Sequence, residues 1–550
     1  MCPSSLASAV PVRRLSLATL AELPADVARP AYDPAGVSPG IVHLGVGAFM
    51  RAHLAVYTDD ILAAGAHDWG IIGANPISSA PRQALTPQDG LYTVALRDAA
   101  GDRLRVVGSL REVLTVAEDP ELVLARMTAS ATRIVTLTVS EKGYCQDAAT
   151  GALDEAHPAI VADLKADAVP RSVPGLLTEA IRRRRAAGLG PFTVLVCDNL
   201  SQNGSKAHGI VTRFAALRDP ELARFVAESV SFPNTMVDRI TPATRDEDRR
   251  SISARLGLVD AWPVICEPFR QWVIEDRFTA GRPRWEDVGA TLVDDVLPFE
   301  IMKLRCLNGT HSAMAYIGVV SGLGTVAAAF GDPVVARFIA QLWAEDLAPT
   351  VPPIPGVDIK HYTEELAGRY RNPNIRHLTL QIASDGSQKL SPRLLEPALD
   401  RLRAGGSARR IAFVVSAWMR FALGVDDNGL AYKISDPLAA KLVRAGQSCG
   451  RNAARLAEAL FAITEIFTPE LLAQEAFCAQ VVKDLDQILT VGIRSALTAC
   501  SQDASRTGKT PVIGLDSGSG RASTSRDGGA QEQSFLLSSA PLSDFVRRLS

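Results

Sequence analysis

Two kinds of apolar pattern alternate along the first half of the chain. Short, nearly continuous apolar runs of the strand type occupy residues 41–44, 69–74, 133–139 and 192–197. Segments rich in helix-forming residues lie between them, at 48–64, 121–128 and 175–187. Buried strands that alternate with helices are typical of a mainly parallel sheet covered by helices on both faces. This pattern therefore predicts an α/β fold for the first part of the chain.

The pattern changes after about residue 292, where strand-type runs become rare. Segments rich in Ala, Leu, Arg and Glu follow at 333–347, 393–404, 411–423, 438–445 and 451–467. We therefore predict an N-terminal extension at 1–37, an α/β domain at 38–291 and a mostly α-helical domain at 292–500. The final segment, 501–550, is dominated over most of its length by Ser, Gly, Thr, Asp and Arg and is predicted to be disordered.

Composition narrows the range of partners. The chain has 58 basic and 60 acidic residues among 550, so its net charge of -2 gives no reason to expect a nucleic acid or a membrane surface. The eight cysteines form no CxxC pair, and the N-terminus lacks the pattern of a secretory signal, so a reduced, cytoplasmic protein is expected. Residues 306–331 carry no Asp, Glu, Lys or Arg, but their polar side chains and glycines favour a buried helix over a membrane span.

A glycine turn follows the first predicted strand. Residues 45–50 read Gly-Val-Gly-Ala-Phe-Met, at the junction where a Rossmann-type fold brings its backbone close to a pyrophosphate. Met50 occupies the third glycine position, so an ordinary tight turn is the alternative. The second strand ends in Asn75 and Pro76 without an acidic residue, which leaves the choice between NAD and NADP open. The predicted cofactor-binding residues are Gly45, Val46, Gly47, Ala48, Phe49 and Asn75.

The segment 302–312 contains the strongest candidate for catalysis. In an α-helix, Asn308 would lie about 140° and His311 about 80° round from Lys303, on one broad face. Reduction of a ketone needs a proton donor at the oxygen and neutral donors for the developing alkoxide. A lysine whose pKa is lowered by burial can supply the proton. The alternatives are a solvated lysine, an Asn-Gly turn and a histidine of the core.

Two further polar residues follow predicted strands or apolar runs. Asn199 comes after the strand at 192–197, where open α/β sheets bind their ligands, and a turn cap is the alternative. Asp238 precedes Arg239, with which it could form a surface pair. No tyrosine has a lysine four residues later, which excludes the Tyr-x-x-x-Lys type of dehydrogenase, and no Cys/His cluster predicts a zinc site.

The chain resembles the long-chain polyol dehydrogenase family, which includes mannitol 2-dehydrogenases and fructuronate reductases (D-mannonate oxidoreductases). The resemblance covers roughly residues 38–500. Its matching segments are IVHLGVGAFMRAH from Ile41, TVSEKGYC from Thr138, CDNLSQNG from Cys197, FPNTMVDRITP from Phe232, CEPFRQWVIEDRF from Cys266, KLRCLNGTHS from Lys303 and QIASDGSQKL from Gln381.

The resemblance implies a Rossmann-type domain followed by a helical domain, and a reaction without a metal. It implies that Lys303, in the pattern K-x4-N-x2-H with Asn308 and His311, is the catalytic acid/base. Asn199 matches the family's other amide donor. Asp238 matches an active-site aspartate, and Lys389 resembles the substrate-binding lysine.

The substrate is less closely defined. Mannitol dehydrogenases carry an arginine where Gln381 stands, and several segments are closer to fructuronate reductases. The resemblance therefore favours fructuronate and D-mannonate, with mannitol and fructose as the alternative and a non-catalytic dinucleotide sensor as a third hypothesis. Candidate partners for a substrate carboxylate are Lys142, Arg270, Arg376 and Lys389. A monomer or small homo-oligomer is expected.

Overall fold

Residues 13–502, except 148, 149 and 166, are described by a computed structural model. Nearly all of the segment predicted to be disordered, from residue 503 onwards, lies outside the described residues. The described chain divides into two compact units. The first contains residues 13–301 and Asn372–Arg376, and the second contains residues 302–371 and 377–502.

Three sheets lie in the first unit. Their strands are β1 (Pro39–Leu44), β2 (Gly70–Asn75), β3 (Tyr92–Asp98), β4 (Gly101–Val107), β5 (Leu110–Thr115), β6 (Ile134–Leu137), β7 (Thr193–Val196), β8 (Thr235–Asp238), β9 (Val264–Cys266), β10 (Gln271–Glu275) and β11 (Thr291–Val293).

The main sheet has five parallel strands in the order β5-β2-β1-β6-β7. Leu44 of β1 pairs with Ala74 of β2 and with Leu137 of β6, which in turn pairs with Val196 of β7. Because the strands share direction and register, the residues that follow them all emerge at one edge of the sheet. The predicted parallel sheet is thus confirmed, and its carboxyl edge is where such folds bind ligands.

Helices cover both faces of this sheet. In the first unit they are α1 (Ala48–Ala52), α2 (Leu54–Ala63), α3 (Ala80–Leu85), α4 (Pro120–Thr128), α5 (Ser140–Gly143), α6 (Pro158–Asp163), α7 (Val173–Ala186), α8 (Asn203–Arg218), α9 (Pro220–Ser229) and α10 (Asp246–Leu256). Alternate residues of β1 enter different cores: Val42 packs with α4, α7 and α8, whereas Ile41 packs with α1 and α2. Burial on both faces explains why these strands are continuously apolar.

The N-terminal segment packs onto the first unit from residue 13 onwards. Leu15, Leu23 and Val27 are buried with Ile252 and Leu256 in a third apolar cluster. A 3-10 helix spans Leu17–Glu22, and Ala28 pairs with β4 through a single bridge.

Helices and helical turns dominate the second unit, as predicted. The α-helices from the end of the first unit onwards are α11 (Leu297–Met302), α12 (Thr310–Val320), α13 (Val326–Gly331), α14 (Pro333–Gln341), α15 (Ile359–Tyr370), α16 (Thr379–Ile382), α17 (Gly386–Leu390), α18 (Glu396–Arg403), α19 (Arg409–Phe421), α20 (Ala439–Cys449), α21 (Ala453–Phe461), α22 (Pro469–Leu472), α23 (Glu475–Val491) and α24 (Ile493–Gln502). Three π-helical turns occur at Lys303–Gly309, Leu342–Leu347 and Ser391–Leu395.

Helix α12 runs through the centre of this unit, and all but one of its residues are buried. It belongs to the uncharged stretch considered above as a membrane span. Within residues 13–502 as described, no helix combines the length and the apolar character needed to cross a bilayer.

Candidate active site

The predicted catalytic residues lie on one continuous helical segment of the second unit. Lys303 and Asn308 stand in the π-helical turn Lys303–Gly309, and His311 lies in the first turn of α12. Each retains only 7–8% of its surface exposure. All three are therefore in a largely desolvated environment, where hydrogen bonds and charges act more strongly than in water.

The π-helical turn changes the geometry expected from an α-helix. A π-helix pairs residue i with residue i+5, so the backbone at position 308 comes next to that at position 303. Lys303 and Asn308 are five residues apart, so the angle between them around the helix axis is smaller than the roughly 140° of an α-helix. π-Helical turns inside α-helices are found frequently at functional sites.

His311 is held as a neutral imidazole. Burial lowers the pKa of His311 well below its usual value, and the neighbouring His377 and the positive charges of Arg369, Arg393 and Lys303 lower it further. Its Nε2 atom is buried and has no hydrogen-bond partner within the described part of the chain. A neutral ring nitrogen in this state can bond to a hydroxyl group of a ligand.

Further polar residues lie around His311 and His377, and two of them, His377 and Arg393, were not predicted from the sequence. The ring of His377 packs edge-on at 5.1 Å from that of His311, and burial lowers its pKa to about 4. Arg393 donates from Nη1 to the Ser312 hydroxyl at 3.2 Å. Lys389, the predicted substrate lysine, lies in α17, where its Nζ donates to the Ser384 carbonyl at 2.6 Å.

In the first unit, the glycine turn stands at the carboxyl edge of the main sheet. Gly45 has a φ of 102°, and a Cβ there would lie 2.1 Å from the Thr138 carbonyl oxygen. A Cβ at Gly47, by contrast, would meet only the Gly45 carbonyl oxygen, at 3.9 Å. Gly45 is thus required by the fold itself, whereas Gly47 leaves open space above the start of α1. That space fits the close approach of a pyrophosphate.

The other predicted cofactor residues frame this turn. Val46 is buried against β2, where a Cβ at Gly73 would clash with it. Ala48 begins α1, and Phe49 stacks on the ring of His53 at 4.9 Å. Asn75 ends β2, and its side-chain amide donates to the Ser78 carbonyl at 2.9 Å.

A buried histidine of β1, which was not predicted from the sequence, holds the glycine turn in place. His43, in β1, lies 2.9 Å through Nε2 from the Gly45 carbonyl oxygen and 2.7 Å through Nδ1 from the Thr136 hydroxyl. Burial lowers its pKa to about 4. The neutral ring therefore donates to the turn and accepts from the neighbouring strand. A polar residue inside an otherwise apolar strand was the signal in the sequence.

The variant His43→Gln is expected to lose about 2 kcal/mol of unfolding free energy at pH 7, because buried partners lose their hydrogen bonds. Since the folded state holds the pKa of His43 below the unfolded value near 6.5, the histidine contributes stability above that pH, and this is lost as pH falls towards 4. The loss amounts to ~3 kcal/mol. Urea unfolding at pH 4.5 and pH 7 measures both effects.

The control for this test is His361→Gln, at an exposed position of α15. Its stability and its pH dependence should match those of the wild type. If His43→Gln lost as much unfolding free energy as the wild type between pH 7 and pH 4.5, the buried His43 ring would not be the cause of the pH dependence.

Asn199 and Asp238 follow or end strands of the first unit. Asn199 is exposed beyond β7 at the carboxyl edge of the main sheet. The preceding Asp198 accepts hydrogen bonds from the amides of Val139 and Ser140 and from the Tyr144 hydroxyl, so it orders the loop after β6 beside Asn199. Asp238 is buried at the end of β8, opposite Gln271 of β10.

The three candidate arginine and lysine partners in the first unit have different surroundings. Arg270 forms an ion pair with Asp60 at 2.7 Å and lies over the ring of Tyr57. Lys142, in the short helix α5, and Arg376, in the segment Asn372–Arg376, are exposed.

Comparison with known proteins decides the family. Residues 39–287 match the protein family described as the mannitol dehydrogenase Rossmann domain, and residues 295–489 match the family described as the mannitol dehydrogenase C-terminal domain. The chain belongs to the mannitol dehydrogenase family. The glycine turn and Asn199 fall within the Rossmann match, and Lys303, Asn308 and His311 fall within the C-terminal match.

Relatives of known name are similar over nearly their whole length. D-mannonate oxidoreductase of Escherichia coli (strain K12) is 42% identical over 88% of this chain and 100% of its own. Mannitol 2-dehydrogenase of Pyricularia oryzae is 39% identical over 89% of this chain and 99% of its own.

A solved structure supports the same grouping. The ternary complex of Pseudomonas fluorescens mannitol 2-dehydrogenase with NAD and D-mannitol matches with a TM-score of 0.79 and 35% identity, over 90% of this chain and 100% of that one.

Proposed function

We propose that this protein is an NAD(P)-dependent oxidoreductase that interconverts a keto-sugar acid and its aldonate, fructuronate and D-mannonate, with Lys303 as general acid/base. The observation that carries the proposal is the buried segment that brings Lys303 and Asn308 together in one π-helical turn, with His311 directly after it. The similarity to a D-mannonate oxidoreductase over its full length supports the choice of substrate.

The residues would divide the chemistry as follows. In reduction, the Lys303 ammonium gives a proton to the ketone oxygen while a hydride reaches the carbonyl carbon; in oxidation, the neutral amine takes the hydroxyl proton back. The side-chain amide of Asn308 donates a hydrogen bond to the same oxygen without adding charge. Asn199 is the proposed counterpart of the family's other amide donor. Neutral His311 binds a neighbouring hydroxyl of the sugar.

The cofactor would bind at the glycine turn. Gly45, Val46, Gly47, Ala48 and Phe49 offer the backbone and the helix start for the pyrophosphate, and Asn75 ends the strand where the ribose is bound in such folds. When bound, NADH or NADPH would supply the hydride for reduction, and NAD or NADP would accept it in oxidation. We propose NAD as the cofactor, because the similar Pseudomonas fluorescens mannitol 2-dehydrogenase was solved with NAD. NADP is the alternative, since neutral Asn75 would not repel its 2′-phosphate.

Several cations are available for a substrate carboxylate. Lys389 and Arg393 lie in the second unit with Lys303 and His311. The charge of Arg393 lowers the pKa of His311, and the charge of Lys389 lowers the pKa of His377. Arg270 is already paired with Asp60, so it is a weaker candidate. We therefore propose that Lys389 binds the substrate carboxylate, at the end remote from the ketone. Arg376 is the alternative cation. Asp238 is proposed to bind a hydroxyl group of the substrate.

A second candidate function is a mannitol 2-dehydrogenase that interconverts D-mannitol and D-fructose. Its support is the 39% identity to a protein of that name and the fold shared with a mannitol complex. For either function we propose a cytoplasmic monomer or small homo-oligomer, with a cofactor domain at 38–291 and a substrate domain at 292–500.

A substrate panel crossed with both cofactors tests the proposal. We expect NADH oxidation with fructuronate to have a kcat/KM at least tenfold above that with fructose or tagaturonate, because the carboxylate and the sugar configuration are both recognised. In the reverse direction, the enzyme should oxidise D-mannonate to fructuronate with NAD.

Faster turnover of fructose and D-mannitol would instead identify the mannitol 2-dehydrogenase. Cofactor binding by calorimetry without turnover of any keto-sugar would favour a dinucleotide sensor and contradict the enzymatic proposal.

A further inference from the structure

Three consecutive carbonyl groups of the catalytic π-helical turn accept hydrogen bonds from side chains elsewhere in the second unit. Trp343 donates from Nε1 to the Cys306 carbonyl at 2.9 Å. The Tyr370 hydroxyl donates to the Leu307 carbonyl at 3.2 Å. Arg393 donates from Nη1 to the Asn308 carbonyl at 3.5 Å. We refer to Trp343, Tyr370 and Arg393 as the carbonyl clamp.

The π-helical turn explains why side-chain donors are needed at these carbonyl groups. Where i to i+5 pairing returns to the i to i+4 pairing of an α-helix, one carbonyl loses its regular partner, and a buried carbonyl without a partner is costly. Cys306 and Leu307 are buried almost completely. Side-chain donors at this transition therefore stabilise the wider turn relative to a plain α-helix.

The clamp residues are themselves held in place. The Trp343 and Tyr370 rings stack at 5.9 Å with an angle of 17° between their planes. The Tyr370 hydroxyl also lies 2.8 Å from the hydroxyl of Thr310, and its ring packs 5.0 Å from that of His311. The clamp thus contacts the segment on both sides of Asn308.

The other two π-helical turns supply two of the three donors. Trp343 belongs to Leu342–Leu347, and Arg393 belongs to Ser391–Leu395. The backbone at Arg393 comes so close that a Cβ at Gly309 would lie 3.0 Å from its carbonyl oxygen. Three wide turns therefore pack against one another, with the catalytic one in the middle.

We propose that the carbonyl clamp is a set of positioning residues for catalysis. By stabilising the π-helical turn, it keeps Lys303 and Asn308 on a common side, where the amine and the amide can reach the same substrate oxygen. A relaxed α-helical turn would rotate Asn308 to about 140° from Lys303. This role rests on the proposed function, since it matters only if both groups act on one oxygen.

The test uses Tyr370→Phe and the double variant Trp343→Phe/Tyr370→Phe, which remove the donors and keep aromatic rings in place. The control is Tyr432→Phe, because the Tyr432 hydroxyl also donates to a helix carbonyl of this unit, that of Phe421 at 2.8 Å. Turnover with fructuronate, cofactor affinity and amide hydrogen exchange of peptides covering residues 303–312 are measured for each.

We expect kcat to fall about tenfold in Tyr370→Phe and about a hundredfold in the double variant, with KM and cofactor affinity within twofold of wild type. Exchange of the 303–312 amides should be at least tenfold faster in the double variant and unchanged in Tyr432→Phe. If the double variant fails to fold, Tyr370→Phe decides alone.

Unchanged exchange would show that the clamp does not hold the turn. Faster exchange with a wild-type kcat, or an equal loss of kcat in Tyr432→Phe, would overturn the positioning role. Absence of turnover in the wild type would contradict the proposed function and, with it, the positioning role. The hydrogen-exchange result would still show whether the clamp stabilises the turn.

Discussion

Replacing Lys303 with alanine is expected to lower kcat by about 10³-fold, within the range that a positioned acid/base contributes. The reason is that the ketone oxygen would lose its only proposed proton donor in a buried environment. Cofactor affinity should stay within twofold of wild type, because the proposed cofactor residues lie on another unit of the chain. Steady-state rates with fructuronate and fluorescence titration with NADH measure the two quantities.

The matched control is Lys360→Ala, an exposed lysine of α15 in the same unit. Its kcat should equal that of the wild type, because its amine faces solvent and Glu364. A Lys303→Ala variant with more than a tenth of wild-type activity would remove the acid/base role from this residue.

The second large effect concerns the glycine turn. The variant Gly45→Ala should lose at least 3 kcal/mol of unfolding free energy, because the new Cβ would overlap the Thr138 carbonyl oxygen at a φ of 102° that side chains rarely adopt. Differential scanning calorimetry should show a lower Tm, and cofactor binding should be lost with the turn.

Gly47→Ala separates folding from cofactor binding. Because a Cβ at this position meets nothing closer than 3.9 Å, Tm should change by no more than about 2 °C. The methyl group would nevertheless stand where the pyrophosphate approaches, so NADH affinity should fall at least tenfold. Equal NADH affinity in Gly47→Ala and wild type would place the cofactor elsewhere.

The sequence predicted the four strands that are buried on both faces and therefore continuously apolar. β1, β2, β6 and β7 all match the predicted runs to within a few residues. The hairpin of β3 and β4 was missed because its strands carry arginine and aspartate, which pair with one another across the hairpin. The short strands β8 to β11 give too few residues for any pattern.

Helical geometry was less predictable where distant contacts decide it. The helix predicted at 48–64 is divided at His53, whose ring bonds to the Gln271 carbonyl more than two hundred residues away. The π-helical turn at Lys303–Gly309 depends on donors that follow it by 37 to 85 residues. Local preferences contain no information about such partners, so an α-helix was the natural prediction.

The candidate site was predictable where a motif carries its chemistry. Lys303, Asn308 and His311 were predicted as a group from their spacing and their uncharged surroundings, and the structure adds their burial and the neutral state of His311. His43 and Asp198 act on backbone atoms of neighbouring loops. Their roles became visible only once the strands were placed side by side.

The central claim is that the Lys303 amine exchanges a proton with the substrate oxygen while hydride crosses to the adjacent carbon. Single-turnover oxidation of NADH and of NADH deuterated at the transferring position, with fructuronate over a range of pH, tests it most directly. The wild type should show a primary isotope effect and one ionisation that controls the hydride-transfer rate, and Lys303→Ala should lose that ionisation. A variant that retains the same pH dependence of hydride transfer would contradict the claim.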